Sequence, residues 1–277
     1  MNSYRLFGVP KIFPTEAISS WLQRISQQQG VPIARIYELV KIKQSRDTDV
    51  DGLSAQISNL IEMAKLNFDE FQVAKIVSKA IRKTPPLQKQ VRLEGKKIPI
   101  TAFCSSCLKH DRVPYYRIEW RFHFWKICPI HLEAMKTECF CCKQRVVLNR
   151  SILFSISAVP NLAFCQFCKA DLTFSTVGPL QLNARGMEKA VTQQNMMSGI
   201  LNGYCLISPI TKKFSLHIMM RLYQLDLLFA AQRDDFSGNF NYEQRVALLK
   251  FLETIQTRTR ERERLHERAS QRWRGRS

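Results

Sequence analysis

The chain has 277 residues and a formal charge of +19, from 42 Lys and Arg against 23 Asp and Glu. Such a length supports two or three units with ordinary cores, and the spread-out cationic excess points to a polyanionic partner. The longest apolar run, around Phe214–Ala231, is broken by Arg221 and Asp226, which excludes a membrane span.

The first thirteen residues lack the charged start and apolar core of a signal peptide, so a soluble protein in a reducing compartment is expected. They read as an extended arm. Pro14-Thr15-Glu16 then opens a helix, with Glu16 favourably placed in its first turn. Ile18, Trp21, Leu22 and Ile25 recur at helical spacing and form one buried face. Gly30 ends that helix, and Pro32 begins a second on Ile33, Ile36, Tyr37 and Val40. The pair predicts a helix-turn-helix, and further helices over about 53–65 and 68–83 complete a domain spanning 1–84. On the outer face of the second helix, Arg35, Lys41 and Lys43 are candidate DNA contacts. The plainer alternative is a solvated basic face. Residues 85–102, rich in Pro and Lys, predict a linker or a short hairpin.

Eight metal-ligand residues follow in four half-sites. Cys104 and Cys107 form the first, Cys128 and His131 the second, Cys139 and Cys142 the third, Cys165 and Cys168 the fourth. A two-residue spacer lets both donors of a pair reach one ion, so the order predicts a three-cysteine, one-histidine site over 103–137 and a four-cysteine site over 138–178. Disulfides are disfavoured in a reducing compartment. Catalytic zinc keeps an open position, whereas both sets here supply four protein donors; two structural Zn²⁺ ions are expected. Thiolate ligation lowers the charge by one at the first site and two at the second, to about +16. Cys141 and Cys205 are left over; Cys141 lies inside a spacer, as a bystander or an alternative ligand.

Between the first two half-sites, Tyr115–Trp125 is rich in β-formers and suits a strand or hairpin, and Val146–Phe164 repeats that character. Arg117 and Arg121 alternate with Trp120 and Trp125, a pattern able to grip a nucleic-acid strand. Alternatively, the aromatics are the core of a small metal-stapled unit. His110 and His123 do not fall at ligand spacing. Beyond Gly178-Pro179, helices are expected over about 183–201, 212–232 and 241–268, as a C-terminal helical region over 179–269. The tail, 270–277, carries Arg272, Arg274 and Arg276, suited to phosphates but not to bases. The fold class is therefore mainly α with small zinc-stapled α+β modules: a helix-turn-helix bundle, two tandem zinc-ribbon-like modules and a C-terminal helical bundle.

Several of these residues together carry a family resemblance. Pro14-x-Glu16 followed by Ser20-Trp21-Leu22-x-Arg24-Ile25 resembles the N-terminal signature of TniQ/TnsD transposition proteins. So do Phe103-Cys104-x-x-Cys107, Pro114-Tyr115-Tyr116-Arg117-x-x-Trp120-Arg121, Cys128-x-x-His131 and Cys139-x-x-Cys142. The resemblance covers roughly 10–170. It implies a non-catalytic target selector in the bacterial cytoplasm, at the nucleoid, with no small-molecule substrate. Its implied partners are an AAA+ transposition ATPase and either an RNA-guided effector complex, as in CRISPR-associated transposons, or attachment-site DNA; a homodimer is implied for some members. The alternative from the residues themselves is an autonomous, sequence-specific helix-turn-helix DNA-binding protein. A zinc nuclease fits worst, because neither site is open and no paired carboxylate or HExxH motif is present.

Overall fold

The computed structural model describes residues 8–44, 46–95, 98–150, 162–174, 184–207 and 212–224, together with positions 254, 257, 261 and 264. The protein is mainly helical with small sheets and forms two compact units, Met1–Met197 and Ser198–Ser277.

The first unit begins with α1 (Ile18–Gln28) and α2 (Ile33–Leu39). Gly30 adopts the left-handed conformation (φ +64°) that ends α1 without a Cβ penalty. Three further elements, α3 (Thr48–Asp51), α4 (Ala55–Met63) and the 3-10 turn Phe68–Phe71, lead into α5 (Gln72–Lys83). Ile18, Trp21, Leu22 and Ile25 meet Ile33, Ile36 and Tyr37, with Ile57, Leu60, Ile61 and Phe71 closing one core. At its centre the fully buried Trp21 meets Phe71 edge-on, ring centroids 4.9 Å apart, while its indole Nε1 donates to the Pro10 carbonyl at 2.7 Å.

Glu16 differs from expectation. It precedes the helix and is buried, accepting from Ser20 Oγ at 2.8 Å and from Arg24 Nε at 2.8 Å. It is an internal ion-pair partner, not a dipole residue. Its burial pushes the carboxyl up, opposed by Arg24.

After α6 (Pro85–Gln88), β1 (Leu93–Glu94) and β2 (Ile98–Thr101) form the hairpin anticipated as one option, and β2 pairs antiparallel with β3 (Val146–Val147). The run Tyr115–Trp125 is not a strand or hairpin. Ile118–Arg121 forms a 3-10 turn, and only Arg117 and Phe122 at its edges make isolated β-bridges, to Glu16 and Val91. The β-formers are used for burial instead: Tyr116, Ile118, Trp120 and Phe122 are nearly inaccessible. Trp120 and Trp125 are therefore core residues, not a stacking surface.

Toward the C-terminus, α8 (Ala184–Asn202) matches the expected helix closely. In the second unit the helix expected over 212–232 begins differently. Tyr204–Ile207 (β4) and Lys212–Ser215 (β5) form a hairpin, and α9 runs Leu216–Gln224. Gly203, at φ +77°, breaks the helical path just before β4. Cys205 is buried in β4, where desolvation pushes its thiol up to about 12, away from reactive thiolate character.

Candidate metal centres and the helical domain they join

Three of the four half-sites are built by one backbone device. In each, the first cysteine's N–H donates to the carbonyl five residues on, and its own carbonyl accepts from the N–H four residues on. The pairs are Cys128 with Glu133 and Leu132, Cys139 with Gln144 and Lys143, and Cys165 with Ala170 and Lys169, all between 2.8 and 3.0 Å. The fourth residue after each cysteine is left-handed: Leu132 at φ 53°, Lys143 at 59°, Lys169 at 65°. This tight turn aims two donors at one point. The remaining half-site works differently, since Cys104 caps α7 (Ser105–His110), its Sγ accepting from the Cys107 N–H at 3.4 Å.

Cys104, Cys107, Cys128 and His131 converge, as do Cys139, Cys142, Cys165 and Cys168, with all donor atoms of a set within 4.8 Å of one another. His131 Nδ1 lies 3.6, 3.4 and 3.6 Å from the sulfurs of Cys104, Cys107 and Cys128, and Cys107 and Cys128 are 3.6 Å apart. In the second set, Cys139–Cys168 and Cys142–Cys165 are each 3.6 Å. A tetrahedron with Zn–S near 2.3 Å and Zn–N near 2.05 Å has edges of about 3.8 Å between sulfurs and about 3.6 Å from sulfur to nitrogen. The donors fit such an ion. A disulfide needs sulfurs at about 2.05 Å, and none is present among the described cysteines.

Sequence spacing did not reveal the groups behind the ligands. Glu133, almost buried, accepts from Ser106 Oγ at 2.5 Å and lies 3.6 Å from Cys104 Sγ. His110 stacks on His131 with centroids 5.3 Å apart. Gln193 of α8 accepts from the N–H groups of Lys126 and Ile127 at 3.0 and 3.1 Å and donates to the Ile127 carbonyl, fixing the segment that leads into Cys128. Cys141 is exposed and outside the four-cysteine set.

The candidate nucleic-acid contacts separate into three groups. Arg121 is fully buried; its guanidinium pairs with Asp49 at 3.0 Å and with Asp47, and donates to the Ile100 carbonyl at 2.5 Å. Arg117 is nearly buried and holds Asp111 through two hydrogen bonds of 2.8 and 2.9 Å. Both act inside the fold, so the proposed grip on a strand is corrected for these two: desolvated, paired guanidinium groups present no charge to phosphate. Arg35 is exposed on α2 but paired with Glu38 at 2.7 Å. Lys41 and Lys43 are exposed beyond the end of α2 rather than on its face, Lys41 being the left-handed residue (φ 55°) that ends it. Arg272, Arg274 and Arg276 lie outside the described residues.

The helical domain and the first metal set are joined by buried polar contacts. Ala17 N–H donates to the Tyr116 carbonyl at 3.0 Å, Ile118 N–H to Thr15 at 2.8 Å, and Tyr116 N–H to Ser20 Oγ at 2.9 Å. Asp49, which also accepts from Ser19 N–H and Oγ at 2.9 and 2.7 Å, meets Arg121 from the other side. A helical domain locked by a buried ion cluster onto Cys/His knuckles is the class of protein defined here. The family model described as TniQ matches residues 8–134, from the start of the helical domain to just past His131. Residues 8–134, a little under half of the chain, are therefore a TniQ domain, which supports a transposition-associated protein. No curated protein matches it. No helix among the described residues is long and apolar enough to cross a membrane.

Proposed function

We propose that this protein is a non-catalytic target-selection adaptor of DNA transposition, linking a target-recognition complex to an AAA+ transposition ATPase. The observation that carries the reading is the TniQ match over 8–134, which takes in both the helical domain and the complete first donor set. Two structural Zn²⁺ ions occupy the two sets in this reading. Four protein donors per ion leave no position for substrate or an activated water, which supports scaffolding over hydrolysis. The recognition side is an RNA-guided effector complex or attachment-site DNA, and the protein acts in the bacterial cytoplasm.

Co-purification of the zinc-loaded protein with a co-expressed AAA+ transposition ATPase from the same source, followed by sizing, tests the proposal. A complex that forms and survives nuclease treatment is expected; no association, with tight binding to one DNA sequence instead, would favour an autonomous DNA-binding regulator.

A further inference from the structure

The helical domain pairs most of its arginines. Arg24 holds Glu16, Arg46 holds Asp51, and Arg35 holds Glu38. The outer face of α5 breaks this habit. Lys75, Ile76, Lys79, Arg82 and Lys83 are all exposed, and Gln72–Lys83 contains no carboxylate. No ion pair among the described residues involves Lys75, Lys79 or Lys83. The nearby acids are occupied or displaced. Asp51 is held by Arg46 and offers only its carbonyl to Arg82, at 2.5 Å, while Asp69 sits at the opposite end of the helix, against Gln72.

The three lysines recur every four residues, so they form one line with steps of about 6 Å along the axis. Favourable interaction with the helix dipole accounts for Arg82 and Lys83 in the last turn, but not for Lys75 and Lys79. The line is also held rigidly. The opposite face of α5 buries Ala74, Val77, Ser78 and Ile81. Gly52, at φ +65°, lets the end of α3 approach so closely that a Cβ there would fall 2.1 Å from Ser78 Oγ.

We propose that the Lys75–Lys79–Lys83 face of α5 binds the sugar–phosphate backbone of duplex DNA. Evenly spaced point charges suit a regular polyanion and carry no base information, and Arg82 beside them is turned to the Asp51 carbonyl. An acidic protein partner would call for an apolar anchor as well, and Ile76 alone stands on the face, about one-third exposed. The choice of DNA among polyanions rests on the transposition assignment; the phosphate contact itself does not depend on the adaptor reading.

The test is the K75Q/K79Q/K83Q variant of the full chain, titrated with a random-sequence duplex across about 50 to 200 mM salt. Loss of three phosphate contacts makes the slope of log affinity against log salt shallower by up to about 2.7. The corresponding triple Lys→Arg variant keeps the parental slope. Metal content and melting match the parent, since all three side chains are exposed; Lys79→Glu alone serves as a second probe and shifts the slope by about one or more. An unchanged slope in the variants overturns the proposal, as does intact DNA binding accompanied by loss of an acidic protein partner. Failure of the AAA+ association would count against the adaptor reading and leave this slope untouched.

Discussion

Replacing Arg121 by Ala removes the cation from a site where Asp49 has almost no solvent of its own. Both side chains of that pair are about 1% exposed, and Arg121 also holds Asp47. Removing one partner of a buried pair strands the other charge, at a cost of about 3–5 kcal/mol. For a unit of about 200 residues this lowers the melting temperature by roughly 6–20 °C. The loss is pH-dependent in a defined direction. Burial already raises the Asp49 carboxyl above its ordinary value, while Arg121 opposes the rise; without Arg121 it climbs further. Between the ordinary carboxylate value and the raised one, the folded protein binds more protons than the unfolded chain, so stability falls as pH rises through that window. The variant's deficit is therefore smaller at mildly acidic pH and larger near neutrality. Adding Asp49→Asn recovers part of the loss by removing the stranded charge. Urea unfolding with zinc held constant, at several pH values, provides the measurement. A deficit below about 1 kcal/mol that ignores pH would refute the assignment of Arg121 as the counter-ion of a buried carboxylate.

Metal analysis of protein purified without added zinc should find two equivalents; Cys165→Ser should lose one and unfold the second knuckle pair, while a single equivalent in the parent would contradict the two-site geometry. Trp21→Ala should cost ~3–5 kcal/mol in thermal or urea unfolding, since the ring fills the centre of the helical core; parental stability would mean that it is not packed there. At the knuckle position Lys169, glycine relieves left-handed strain of about 1–2 kcal/mol and should be neutral or mildly stabilising, whereas Lys169→Val should weaken zinc retention against a chelator. Equal behaviour of the two would show that the turn does not need its positive φ.

The ligand sets were legible because a knuckle is a local object: two donors and their spacer lie within four residues, and the pattern survives without tertiary knowledge. The buried faces of α1 and α2, and the approximate spans of α4, α5 and α8, were legible for the same reason, since periodicity is local. Arg117 and Arg121 were misread because their fate is decided by partners that are distant in sequence for Arg121. Asp47 and Asp49 stand more than seventy residues before it, and nothing in the local run Tyr115–Trp125 distinguishes a solvated arginine from a neutralised one. The 3-10 turn at Ile118–Arg121 overrode β propensity because burial of Trp120 and Arg121 depends on that non-local pairing. Lys41 was placed on a helix that ends two residues before it, at Leu39, through a left-handed cap that only Gly or Asn would have advertised.

The buried Arg121–Asp49 contact also bears on how such a chain can be inherited. The run between α5 and the first cysteine looks like a natural crossover point for exchanging a helical domain between proteins. A recombinant joined there would strand two carboxylates in one parent's half and a guanidinium in the other's, unless both halves came from lineages that kept the same pair. Selection would then act on the two halves as a single heritable segment. The span 8–134 holds both partners of that pair, and the second knuckle pair beyond it is bound to the same inheritance, since β3 pairs with β2 and Ser105 Oγ and the Tyr116 hydroxyl donate to the Leu172 and Leu162 carbonyls.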